Sequence, residues 1–264
     1  MTSMNSEQKI RLGGMALENG VLIQGPTAWA CAVRLPDGRV KVEARRKRFQ
    51  ASGVRSPLLR GPARLAEAFL VLPAVRKTLP EARLPFRRPR VRVAFVLSAL
   101  AVRAIRRSDR FRPGSRELAS AALAFLPAAA SLSGSELTAY HGAEHATVGT
   151  YEHGEPRSRV HERCGSNLVL PMVAGSLASN LLAQKLPQRS RPLVRVGGQI
   201  AALAIASEAL AWSLAHPDRP LARALGWPGF ELQLHLTTAE PSPAQLEVAR
   251  AALEACLELE RQGG

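Results

Sequence analysis

Three stretches of the chain, residues 118–135, 165–184 and 196–215, are almost free of charge. Each is about as long as a helix needs to be to cross a hydrocarbon core. The first two contain no charged residue and the third contains one, Glu208. Their apolar residues are mainly Ala and Leu, diluted with Ser and Gly. That composition suits closely packed helices in a membrane bundle, and it suits buried helices of a soluble domain equally well. Glu208 is a functional candidate under the first reading, because an ionisable group inside a membrane is costly. Under the second it is an exposed helix position.

Shorter patterns flank these stretches. Leu58, Leu59, Leu65, Phe69, Leu72 and Val75 recur at helical spacing over 58–79. Residues 93–102 form an apolar run of ten, too short to span a bilayer as a straight helix. Near the C-terminus, Ser242-Pro243-Ala244-Gln245 is a capping-box start with Pro at the first helical position. It predicts a helix over 243–260 with Leu246, Ala249, Leu253, Cys256 and Leu257 on one face, Cys256 acting as a small core residue. Near the N-terminus, Trp29, Cys31 and Val33 alternate with smaller residues, Pro36-Asp37-Gly38 makes a turn, and Val40 and Val42 resume the alternation. This predicts a β-hairpin. Residues 13–26 are apolar and bracketed by glycines. Residues 1–12 read as a disordered tail with the polar character that excludes a cleavable signal peptide. The chain thus divides into a tail (1–12), a glycine-bracketed segment with a hairpin (13–50), a basic helical region (51–116), and a helical core with a C-terminal helix (117–264). The expected fold is mainly α: a membrane-associated multi-helix bundle with a small N-terminal β-hairpin and a C-terminal amphipathic helix.

Composition agrees with helices. Of 264 residues, 46% are hydrophobic but only 5% aromatic, which disfavours a β-sandwich. The net charge of +15 implies an anionic partner, either phospholipid headgroups or nucleic acid. No basic surface interleaved with aromatics and no nucleic-acid module is evident, so nucleic acid ranks last and an anionic membrane lipid surface first. A protein partner or a second copy of the chain stays open. Basic runs between the apolar segments favour a cytoplasmic face under the positive-inside rule. The expectation is a cytoplasmic membrane, with the polar motif described next on its cytoplasmic side. Cys31, Cys164 and Cys256 are odd in number and widely spaced, which is no disulfide framework.

The chemistry concentrates in His141-Gly142-Ala143-Glu144-His145, followed by His161-Glu162-Arg163-Cys164. Ser133-Gly134-Ser135-Glu136 is a helix-start pattern, and Gly154 is a natural terminator after Tyr151 or His153. On such a helix His141, His145, Val148 and Glu152 form one stripe. Glu144 lies about 60° around the axis on its flank. Neutral imidazole and thiolate are the common protein ligands of Zn²⁺. The candidate ligands are His141, His145, His161 and Cys164, with Glu144 as general base and Glu152 as third ligand or as acceptor for an imidazole N–H. Zinc is the expected ion, another divalent metal the alternative. Four protein ligands make a closed, structural site; catalysis needs an open position. A hydrogen-bonded cluster of core histidines is the metal-free alternative. Gly142 leaves room for close approach of a second element, while His153 reads as surface and His216 and His235 as structural.

The run YHGAEHATVGTYEHGEP, then HERCGSNLVLPMV, then LQLHLTTAEPSPAQLEVARAALEACLELE resembles the DUF1385, or YqhQ-like, family of bacterial membrane proteins. The opening GGMALENGVLIQGPTAWACAVRLPDG is similar to that family's as well. In the family a Lys usually follows the second His, where this chain has Ala146, and Pro usually stands where it has Glu162. The resemblance implies an integral membrane protein and a metal-dependent enzyme. The two resulting hypotheses are a zinc-dependent hydrolase and a non-enzymatic membrane scaffold or assembly factor with a structural metal.

Overall fold

The computed structural model describes residues 9–85, 88–108, 110–124, 126–132 and 135–262. Four strands come first: β1 (Gly13–Leu17), β2 (Gly20–Gln24), β3 (Ala28–Arg34) and β4 (Val40–Arg46). Helices α1 (Pro57–Leu70), α2 (Leu72–Thr78), α3 (Pro89–Arg107), α4 (Pro113–Ala124), α5 (Leu126–Leu132) and α6 (Ser135–His153) follow. The chain closes with α7 (Val169–Gln184), α8 (Arg191–Ala215), α9 (Pro220–Leu232), a π-helical turn at Gln233–Thr237, and α10 (Pro243–Arg261).

The strands form an antiparallel meander in the order β1-β2-β3-β4. The hairpin expected from sequence is its second half, turning at Gly38 with φ +86°. The glycine-bracketed segment 13–26 supplies the first half. It shows no alternation because all five residues of β2 are buried, covered on both faces. On one face Val21, Ile23, Ala30 and Ala32 pack against Leu137, Tyr140 and Ala143 of α6 and Val248, Ala252 and Cys256 of α10. On the other, Leu22, Trp29, Cys31 and Val33 pack against Leu72, Val75 and Leu79. This layer anchors α6, the helix that carries the histidines.

The C-terminal helix begins as the sequence predicts. The Ser242 hydroxyl accepts from the Gln245 backbone N–H, and the Gln245 side chain accepts from the Ser242 N–H. Its far end is tied to the sheet: Glu260 accepts the backbone N–H groups of Thr27 and Ala28 at 2.7 Å each and the Thr27 hydroxyl at 2.8 Å.

Helices α7 and α8 form a hairpin with α1, α4 and α9 against its flanks. Two segments, Gly165–Gln184 and Gln188–Ala215, are long and apolar enough to cross a membrane, with mean hydropathies of 1.3 and 1.4. Only 22% and 17% of them is buried, whereas a soluble core helix is mostly covered. The third apolar stretch, 118–135, falls across α4 and α5 and on Phe125, Ser133 and Gly134, which lie outside the described residues; no continuous helix is described over it. The run 93–102 belongs to the 19-residue α3, with arginines at both ends. Residues 1–8 of the expected tail lie outside the described residues. Next to them, the Ile10 N–H donates to the Tyr151 hydroxyl at 3.2 Å.

Candidate metal centre

Three elements build the site: α6, the loop after it, and the π-helical turn before α10. Helix α6 ends at His153, with Gly154 at φ +78° as terminator. Its middle is pressed against the turn. A Cβ on Gly142 would lie 2.1 Å from the Ala239 carbonyl oxygen, so only Gly permits that approach. The Ala239 N–H donates to the Thr138 carbonyl at 2.9 Å and closes the contact.

This docking fixes the two imidazoles. His141 Nδ1 lies 2.8 Å from the Thr237 carbonyl oxygen, and His145 Nδ1 lies 2.8 Å from the Arg159 carbonyl oxygen. A carbonyl only accepts, so both Nδ1 atoms carry the proton in the neutral rings and both Nε2 atoms present bare lone pairs. The rings sit 4.3 Å apart, centre to centre. Cys164 Sγ lies 3.7 Å from His141 Nε2. One ligand atom from each of His141, His145 and Cys164 falls within 4.8 Å of the others. Ligands at zinc bond lengths around a tetrahedral ion lie roughly 3.3–3.8 Å apart, so little closure is needed.

Glu144 completes the pocket. It is 7% exposed, and its Oε2 stands 3.5 Å from His145 Nε2. It also rests against the sheet, where a Cβ on Gly14 would lie 2.0 Å from its Oε1. Burial pushes the Glu144 carboxyl above the usual carboxylate range, against the pull of His141 and His161. Burial likewise lowers His145 and keeps it neutral. For Cys164 burial acts upward, but hydrogen bonding and charge from His145, with Ser166, outweigh it and bring the thiol below its ordinary value. Two bare imidazole nitrogens, a thiol biased toward thiolate and a carboxyl group biased toward its neutral form thus face one another.

His161 stands beside this group. The Arg163 N–H donates to its Nδ1 at 3.3 Å, so its Nε2–H donates to Glu152 Oε2 at 3.1 Å. Both ring nitrogens are engaged within the chain. Glu152 also pairs with Arg163. The sequence grouped four ligands; the structure brings three together and sets His161 with Glu152 next to His145, ring centres 5.6 Å apart. Glu208 is not part of this group and forms an ion pair with Arg60 of α1. His153 Nε2 pairs with Glu162 at 3.2 Å, His216 stacks on Trp212, and His235 pairs with Glu231.

Several supporting groups carry no signal in the sequence. The Arg159 side chain donates to the Leu234 and Thr238 carbonyls and the Thr238 hydroxyl, at 2.9, 3.0 and 3.1 Å. Gln233, fully buried, accepts the His161 N–H at 2.8 Å and donates to the Ser166 hydroxyl at 2.9 Å. The π-helical turn is the one visible clue, since such turns often mark functional sites.

Fold and site together define a mainly helical protein with a small antiparallel sheet, two helices long enough to cross a membrane, and a His/His/Cys group able to hold a metal ion. Residues 135–259, which include α6 and the whole site, match the family described as protein of unknown function DUF1385. The chain is also 37% identical over 129 residues to the uncharacterized protein YqhQ of Bacillus subtilis (strain 168), covering 46% of this chain and 40% of that protein. Both matches support a DUF1385, or YqhQ-like, assignment for this C-terminal part of the chain. The chain thus spans well under two thirds of the length of that relative. No solved structure matches.

Proposed function

We propose that this chain is a membrane-associated zinc protein of hydrolytic type. His141, His145 and Cys164 hold the ion, a fourth position stays open, and Glu144 serves as general base. The observation that carries the reading is the pair of imidazoles whose tautomer is fixed by backbone carbonyls, so that bare Nε2 atoms face a thiol and a carboxylate. Two bare imidazole nitrogens beside a thiol and a carboxyl group need either shared protons or a cation among them, and a metal ion satisfies all four at once. Three protein ligands and a free position is the arrangement of catalytic zinc, and zinc supplies Lewis acidity at neutral pH. Glu144 stands beside the ligands instead of among them, placed to accept a proton at Oε2. His161 and Glu152 orient the loop that delivers Cys164. The weakly buried α7 and α8 support the membrane part of the reading.

Elemental analysis of protein purified without chelators tests the metal: one zinc per chain supports the site, and absence of any stoichiometric metal refutes it. With metal present, Glu144→Gln keeps the zinc and abolishes turnover of a hydrolysable ester or amide probe. Loss of zinc in that variant makes Glu144 a ligand. Full metal loading with no hydrolytic activity, and unfolding on metal removal, would favour the scaffold reading, in which the ion staples α6 to the 161–165 loop.

A further inference from the structure

At the other end of the α7–α8 hairpin lies a second concentration of charge. Glu117 of α4 is 1% exposed. Its carboxylate accepts from the Gln184 amide at 3.0 Å and lies 3.5 Å from a guanidinium nitrogen of Arg106, at the end of α3. Arg195 lies one helical turn after Arg191 on the same face of α8. Arg191 is turned back onto the end of α7, donating to the Leu186 and Gln184 carbonyls at 3.1 and 3.3 Å. Arg106 thus meets the carboxylate directly, Arg191 is joined to it through Gln184, and Arg195 shares the α8 face of Arg191. The Nε atoms of Arg106 and Arg195 are buried with no acceptor. Lys185 and Arg189 add further positive charge at the hairpin tip.

Beside Arg106 the open surface of α3 carries Ala99, Leu100 and Val102 together with Arg103 and Arg107. Leu100 is 58% exposed. Guanidinium forks beside an exposed apolar helix face match a molecule with an anionic head and a hydrocarbon tail. Guanidinium binds phosphate oxygens with paired hydrogen bonds, and basic pockets between membrane helices hold anionic headgroups in this way.

We infer that the Arg106–Arg191–Arg195 cluster is a binding site for one anionic glycerophospholipid, its phosphate on the guanidinium groups and an acyl chain along the exposed face of α3. The inference rests on the membrane reading of α7 and α8. It is independent of the metal centre, which lies at the opposite end of the hairpin.

Full-length protein in nanodiscs of phosphatidylcholine carrying 10% phosphatidylglycerol, followed by detergent extraction and native mass spectrometry, tests it. Wild type should retain phosphatidylglycerol at least tenfold above its share of the bilayer. Arg195→Gln and, separately, Leu100→Glu should lower that enrichment at least fivefold. Arg195→Lys, which keeps the charge but loses the fork, should fall between wild type and Arg195→Gln. Leu100 is exposed, so Leu100→Glu tests the site without disturbing the buried network around Glu117. Equal retention in wild type and both disruptive variants overturns the site. So does competition by inorganic phosphate or a DNA duplex at the same phosphate concentration, which would mark a general anion patch. A chain that stays in the aqueous fraction without detergent overturns both this inference and the membrane reading, whereas an inserted chain without phosphatidylglycerol enrichment overturns the inference alone.

Discussion

The contact between Gly142 and the turn before α10 makes a sharp prediction, because one methyl group there touches the supports of both histidines. A Cβ at this position would sit 2.1 Å from the Ala239 carbonyl oxygen and 3.2 Å from Arg159 Cβ, against 3.4 Å or more for an ordinary contact. Over a full ångström of displacement is needed, and the obstacle is backbone, which cannot swing aside. Moving residue 239 pulls on Thr237, whose carbonyl holds His141, and on Thr238, whose carbonyl and hydroxyl hold the Arg159 side chain. The Arg159 backbone in turn holds His145. In an unobstructed helix, Gly→Ala stabilises by about 0.5–1 kcal/mol. Here overpacking costs about 1–3 kcal/mol and outweighs that gain. Loss of the groups that orient metal-bound histidines typically lowers metal affinity by about 10–100-fold. Gly226 in α9 is the control, since a Cβ there meets nothing within 4 Å. The assay is thermal and chemical unfolding in detergent, together with zinc competition against a fluorescent chelator. Gly142→Ala should destabilise the protein and weaken zinc binding, while Gly226→Ala should raise stability slightly and leave zinc unchanged. Equal shifts of the same sign, or unaltered zinc affinity in Gly142→Ala, would refute the coupling.

Three further outcomes are expected. His161→Asn should retain zinc at one per chain by elemental analysis, because both ring nitrogens of His161 are engaged within the chain; loss of the metal would make His161 a ligand after all. Glu67→Ala should cost about 3–5 kcal/mol in chemical denaturation, since it strands Lys47, whose side chain is 4% exposed and paired with Glu67 at 2.5 Å. The double change Lys47→Met with Glu67→Leu should recover most of that loss. Glu260→Ala removes the acceptor of two backbone amides and a hydroxyl, and unfolding midpoints should report a loss of roughly 2–4 kcal/mol.

What the sequence revealed and what it hid follow from which interactions are local. The start of α10 and the end of α6 were legible because a capping box and a terminal glycine act within a few residues. The β3–β4 turn was legible at Gly38 for the same reason. Strands β1 and β2 were not, because burial on both faces of β2 removes the alternation that marks a half-exposed strand. The β1–β2 turn is Glu18-Asn19, with neither residue at positive φ, so it lacks the glycine that marks the turn at Gly38. At the metal centre the side chains were visible as a group, but their partition was not. Whether His161 faces a metal or Glu152 depends on the path of the 154–164 loop, which no spacing encodes. The carbonyls of Thr237 and Arg159, which fix the tautomers, belong to the backbone and leave no trace in residue type.

The α7–α8 hairpin also sets a direction. Helix α8 has 25 residues, about 37 Å of helix, enough to reach from one face of a bilayer to the other. The metal centre adjoins the end where α7 begins and α8 stops, and the arginine cluster occupies the end where they turn. A tip carrying Lys185, Arg189 and Arg191 has no place in hydrocarbon, so an inserted hairpin must deliver it to the far headgroup layer instead of stopping halfway. The protein is then vectorial. On that proposed insertion the arginine cluster and the metal centre lie at opposite faces of the bilayer, and any coupling between them runs lengthwise along a single pair of helices.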